Sequence, residues 1–263
     1  MEANARFQKE LEILVITAQE ILRRVPGLFI GQHAGGGKAE QIFLRGFDID
    51  HGTDVNLTVD GMPVNMVSHA HGQGYADMHF LIPETIDQID FGKGPYYAHK
   101  GNFNTAGYVD FETKNRLDNS LVKLEYGRFN TFRSVGLFNL VNTEKNNAYL
   151  AAEYTLTDGP FDASQNFTRF NLMGKYTGQV SSRDRFSLLV SHFTSKWDAS
   201  GQIPNRAVDA GLIGRFGAID DTEGGSTTRT NVMGEFIRNL NANTFLKSHA
   251  FYSHYTFELF SNF

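Results

Sequence analysis

Thr168-Arg-Phe-Asn-Leu-Met-Gly-Lys-Tyr-Thr-Gly178 decides how the second half of this chain folds. Successive side chains of an extended strand point to opposite faces, so Phe170, Leu172 and Tyr176 share one face and Arg169, Asn171, Lys175 and Thr177 the other. One face is apolar and the other polar. Segment 148 to 157 repeats the pattern, with Leu150, Ala152, Tyr154 and Leu156 opposed to Glu153, Thr155 and Thr157. Segment 185 to 195 does so less cleanly, because Leu189 and Phe193 sit on its polar face.

Working outward, the same reading predicts strands near 120 to 127, 131 to 141, 147 to 157, 168 to 179, 184 to 196, 228 to 239 and 244 to 260. Their connections alternate in kind. Short polar turns lie at Asn142 to Asn147, Val180 to Asp184 and Asn239 to Asn243; a longer loop runs from Asp158 to Phe167 and a much longer one from Asp198 to about Ser226. Short turns on one side and long loops on the other are the habit of transmembrane barrels. The compact turn at Gly127 to Thr131 is the exception.

The front of the chain has a different texture. Thr17 followed by Glu20 reads as a capping box, with a helix of about two turns to follow; Ile21, Leu22 and Val25 form its apolar face and Pro26-Gly27 its stop. From Leu28 to about Asn115 short strands alternate with glycine-rich bends, as at Gln41 to Arg45, Asn56 to Val59, Thr85 to Phe91 and Tyr108 to Thr113. The two textures meet near Leu117. Composition agrees with a β-rich protein: 23 Phe, 10 Tyr and 26 Gly accompany a single Trp. A net charge of -5 argues against nucleic acid as a partner, and the lack of cysteine excludes disulfides and thiolate chemistry. No apolar run approaches the roughly 20 residues of a spanning helix, and no signal peptide is visible ahead of Thr17.

Four motifs follow one another in the first half. They are Gln41-Ile-Phe-Leu-Arg-Gly-Phe-Asp48, Leu57-Thr-Val-Asp-Gly-Met-Pro-Val64, Ile86-Asp-Gln-Ile-Asp-Phe-Gly-Lys-Gly-Pro95, and the stretch Gly101 to Lys114 with its terminal Thr113-Lys114 pair. In this order and spacing they resemble the plug domain of TonB-dependent outer-membrane receptors. The resemblance implies an α+β plug followed by antiparallel strands of a 22-stranded barrel with a plugged lumen. It divides the chain into an N-terminal segment 1–16, a plug 17–117 and a partial barrel 118–263. It also makes Arg45, Gly46, Asp60, Gly61, Gly94, Pro95, Gly101 and Gly107 structural residues of the plug, chiefly at bends. Arg45 either pairs with a barrel carboxylate or stays exposed. No TonB box is recognisable. About 20 residues per strand and connection leave room for about seven strands after the plug. The expectation is therefore a fragment: an open sheet with the 244 to 260 strand unpaired on one edge, in a polypeptide that aggregates by itself.

Other chemical motifs are weaker. His69-Ala-His71 with His79 could share a metal ion, yet Ser68 to Asp77 reads as a polar loop in which histidines simply donate hydrogen bonds. An intermediate reading makes this loop the ligand-contacting surface, with His69, His71, Gln73, Tyr75, Asp77 and His79 as ligand-binding residues and no resident metal. Gly35-Gly-Gly-Lys38 fails the phosphate-loop spacing at Gln32 and Ala39, and Asp48, Asp50 and Asp54 fail the calcium-loop pattern at Gly52 and Val59. No G-x-S-x-G elbow occurs, so neither an enzyme nor a cofactor is expected. The resemblance implies uptake of an iron chelate, vitamin or oligosaccharide across the bacterial outer membrane, with TonB, membrane lipid and an extracellular ligand as partners. The alternative is a plug-like binding module without transport.

Overall fold

The computed structural model describes residues 18–32, 36–49, 53–69 and 72–262, and strands dominate it. Two units emerge: the described residues of Met1–His33 with Lys38–Lys114, and those of Ala34–Gly37 with Asn115–Phe263.

In the first unit a 3-10 helix, Ala18–Arg24, buries Ile21 and Leu22, and Val25 is buried directly behind it. The expected cap, Thr17, lies outside the described residues. β1 (Leu28–Gly31), β2 (Gln41–Leu44) and β3 (Phe47–Ile49) form a meander. Leu44 pairs with Phe47, so only Arg45-Gly46 connects β2 to β3, at φ 55° and 82°. β4 (Val55–Val59) and β5 (Met62–Pro63) are joined alike by Asp60-Gly61, at 50° and 80°. Positive φ at both central residues is the type I′ signature, whose twist matches that of the flanking strands. The Arg-Gly and Asp-Gly pairs are thus hairpin tips.

β6 (Met66–His69) and β7 (Gly72–Tyr75) form a hairpin of their own, where the sequence reads as a loop over 68 to 77. Backbone pairing needs no apolar side chains, so a polar, glycine-bearing stretch conceals it. β8 (Ile86–Lys93) and β9 (Gly107–Thr113) complete a four-stranded sheet in the order β5-β4-β9-β8, with β4 parallel to β9 and the other pairs antiparallel. Val55, Leu57, Val109 and Phe111 are wholly buried there. Asp60 ties the far ends of β4 and β9 together: Thr113 N and Oγ1 donate to its two carboxylate oxygens at 2.9 and 2.6 Å.

The second unit is a seven-stranded antiparallel sheet in sequential order: β10 (Leu121–Tyr126), β11 (Phe132–Asn142), β12 (Asn146–Thr157), β13 (Phe167–Gln179), β14 (Asp184–Asp198), β15 (Gly224–Asn241) and β16 (Thr244–Phe260). It does not close, and β10 and β16 are its edges. Connections 143–145, 180–183 and 242–243 are short, whereas 158–166 and 199–223 lie together at the other end of the strands. The longest contains a helix that the sequence reading did not anticipate, α1 (Asn205–Asp209).

Candidate functional site

The sheet inverts the usual arrangement of a soluble protein. Phe170, Leu172 and Tyr176 of β13 are exposed, with Tyr154 of β12 and Leu188 and Val190 of β14 beside them. Arg169, Asn171 and Lys175, on the opposite face, are buried with Glu153, Thr155 and Ser191. Leu189 and Phe193, the interruptions in the β14 pattern, belong to this buried face and pack there as apolar islands. Large apolar side chains normally leave water and charges stay in it. A sheet that does the reverse suits lipid on one side and a polar interior on the other. No helix among the described residues is long and apolar enough to cross a membrane.

Charges on the buried face are organised into a ladder. Glu153 Oε1 accepts from Arg133 Nε at 2.6 Å and Arg169 Nη2 at 3.1 Å, and its Oε2 accepts from Asn171 Nδ2 at 2.7 Å. Arg133 Nη1 also reaches Glu125 Oε2 at 2.8 Å, and Lys123 continues the ladder at 3.0 Å. Four adjacent strands are bridged. Glu125 faces Arg133 directly, while Glu153 sits one diagonal step from both arginines, within reach of long side chains. Sequence reasoning missed this network; alternation marks its residues as polar-face, and counting back from the turns would have aligned them.

The same face carries Trp197, 1% exposed, with Phe167 and Ala199 against it and its ring 6.0 Å from that of Phe257. Glycine lies on several sides. A Cβ at Gly37 would come within 2.0 Å of the Trp197 ring, and one at Gly225 within 2.8 Å, so the glycine run rejected as a phosphate loop supplies at Gly37 a backbone thin enough to lie on the indole.

In the first unit the described side chains among the candidate ligand residues fall into two pairs. His69 stacks on Tyr75, ring centroids 3.9 Å apart and nearly parallel, and the Tyr75 hydroxyl accepts from Ala39 N at 2.8 Å. Tyr75, Asp77 and His79 are buried. Asp77 Oδ1 accepts from His79 N at 2.8 Å and lies 2.9 Å from His79 Nδ1, while Glu40 Oε1 is 3.9 Å from His79 Nε2. His71 lies outside the described residues, and Gln73 is described only through its backbone pairing with Ser68. Among the described residues no three His, Asp or Glu side chains are grouped to hold a metal ion.

Of the plug-motif residues, Gly94 N donates to Ala106 O at 2.7 Å and closes the base of the 94–106 segment. Pro95 is exposed beside it, and Gly101 (φ 68°) ends the short 3-10 turn Ala98–Lys100. Gly107, at φ 154°, has no room for a side chain, since a Cβ would stand 2.3 Å from Gly92 O. Arg45 is exposed, its Nη1 near Gly94. Within the segment, Lys100 pairs with Asp110 and lies 4.0 Å over the Tyr108 ring. Burial, then the hydrogen bond that Tyr108 donates to Asp90 at 3.0 Å, pushes the phenol pKa up.

Residues 8–108 match the family model described as TonB-dependent Receptor Plug Domain. Across both units the fold is similar to that of the ferric citrate transporter FecA in its unliganded form (TM-score 0.76, 17% identity, 92% of this chain and 38% of that one). It is similar too to the ferric-catecholate import receptor Fiu from E. coli K12 in its open form (TM-score 0.65, 19% identity, 92% and 36%). The copper transporter OprC gives a TM-score of 0.67 at 16% identity over 88% of this chain and 33% of its own. The chain thus spans well under half the length of these structures. The front of the chain matches the TonB-dependent receptor plug domain, and the strand order behind it is similar to that of these structures.

Proposed function

We propose that this chain serves an outer-membrane receptor that takes up an extracellular ligand with energy coupled through TonB, residues 17–117 acting as plug and 118–263 as barrel wall. The sheet with exposed apolar and buried polar faces carries the reading, since only lipid rewards that inversion. The proposed ligand contacts are His69 of the β6–β7 hairpin, His71 and Gln73, with the buried Tyr75, Asp77 and His79 in support. Structural relatives named for ferric citrate and ferric catecholate make an iron chelate the first ligand to test.

Expression from the intact gene, followed by fractionation, tests the location: a heat-modifiable band in the outer membrane is expected, and a soluble periplasmic species would contradict it. Uptake of ferric chelates in a strain with and without TonB then tests coupling, with TonB-independent uptake as the contrary result.

A further inference from the structure

The outward face of the sheet changes character at one register row. Val190, Val232 and Tyr252 stand opposite one another across β14, β15 and β16, all exposed. One step toward the long loops the row becomes His192, Thr230 and His254, then Thr194, Thr228 and Thr256, then Lys196, Ser226 and Glu258. These three rows hold no apolar side chain. His192 Nδ1 is 2.9 Å from Thr230 Oγ1, and the hydroxyls of Thr228 and Thr256 bond to each other, so the patch is a laterally connected surface. Lys196 forms no ion pair among the described residues.

Its borders identify its depth. On β13 the residues paired with His192 and Thr194 are Leu172 and Phe170, both exposed and apolar. Apolar wall therefore flanks the patch below and on one side, which places it where hydrocarbon gives way to headgroups rather than in open water. At about 3.3 Å per residue and about 4.8 Å between strands, it measures about 13 Å along the strands and about 10 Å across them. That is the footprint of one or two sugar rings.

We infer that this patch binds the headgroup of a phosphorylated glycolipid of the outer leaflet. Lys196 meets a phosphate, while His192, His254 and Thr256, with Glu258 at the far corner as acceptor, hydrogen-bond sugar hydroxyls. A phosphate alone would not suit Glu258, and a neutral sugar would not use Lys196; the mixed set fits a headgroup that carries both. The inference rests on the outer-membrane reading and narrows its membrane lipid to one chemical class at one place on the wall.

The test uses the receptor expressed from its intact gene and purified from outer membranes, with native mass spectrometry reading retained lipid A against dephosphorylated lipid A and phosphatidylethanolamine. Wild type should retain lipid A preferentially. His192→Leu with Lys196→Gln and His254→Leu should lower retention at least tenfold while keeping heat-modifiability, and Lys196→Gln alone should abolish the preference for the phosphorylated form. An inserted, heat-modifiable triple variant with unchanged retention overturns the glycolipid site alone, as does wild type that holds phosphatidylethanolamine equally well. Failure of wild type to reach the outer membrane overturns both readings.

Discussion

Glu153 and Arg133 meet at 2.6 Å on a face where both side chains are buried, and the arginine is held from its other side by Glu125. A buried pair of this kind adds little over an apolar substitute of equal volume, but losing one partner strands the other charge away from water. Glu153→Met should therefore destabilise the folded protein by about 3 to 5 kcal/mol in a denaturant titration. Adding Arg133→Met and Arg169→Met should cost less than the sum of the single changes, because the stranded cations go with the anion. Additive losses would show that the three side chains do not act as a unit.

The wall's two faces make a sharper comparison. Leu172→Lys places a cation on the exposed apolar face beside the boundary with the headgroups and should cost about 1 kcal/mol, less than the about 2 to 4 kcal/mol expected at the midplane. Asn171 is a poor control, since its amide donates to Glu153 and a lysine there would add a fourth cation to the ladder. Thr177 is better: it lies on the buried face and lines an open cavity of about 620 Å³ at the short-turn end. Thr177→Lys should leave the heat-modifiable fraction near wild type. Equal losses at 172 and 177 would contradict the assignment of faces.

At the β4–β5 turn, Asp60 combines φ 50° with two hydrogen bonds from Thr113. Asp60→Asn keeps tolerance of the left-handed region and an acceptor oxygen, whereas Asp60→Leu loses both. Left-handed strain of about 1 to 2 kcal/mol and two lost acceptors put the leucine variant about 3 kcal/mol below wild type, with asparagine about 1 kcal/mol below. Urea midpoints would read the ranking, and an asparagine variant as unstable as leucine would show that the anionic charge matters more than the turn.

The longest loop should respond to acid. Hydrogen bonds from the Thr222 hydroxyl, then its backbone amide, then Asn262, hold the Asp220 carboxyl below its ordinary value of 3.8. A depressed folded-state pKa contributes stability above the unfolded value, and that contribution is lost as pH falls from about 4 through the folded pKa. Hydrogen exchange in residues 199–223 should rise over that acid window, and Asp220→Asn should flatten the response. An unchanged profile in the variant would place the acid sensitivity elsewhere.

Much of the wall was legible because alternation forces register: once Phe170 faces outward, every second residue of β13 follows, and each short turn passes that choice to the next strand. β15 shows where legibility ends. Its strand pattern becomes recognisable near 228, yet the strand begins at Gly224. Gly224-Gly225 read as a bend, but they are glycines because backbone atoms of Trp197 and Asp198 fill the space beside Gly224, and Glu258 O with the Trp197 ring fills the space beside Gly225. Such a cause lies on a neighbouring strand and leaves no local trace. The β6–β7 hairpin was hidden for the converse reason, since its backbone pairs under side chains that would suit a loop. Of the proposed ligand residues, spacing could place His69 and His79 near each other in the sequence but could not tell a hairpin face from a buried partner of Asp77.

The parallel pairing of β4 with β9 has a mechanical consequence. Tension along β9 loads the Val55–Gly107 to Val59–Phe111 pairs in shear, so their hydrogen bonds must yield together, and the Asp60–Thr113 link shares the load at the end nearest Lys114. The β6–β7 hairpin, pulled apart at Met66 and Tyr75, would instead unzip one pair at a time. The unit therefore couples a stiff spine to a compliant flap, and a force strong enough to open the flap can leave the spine intact.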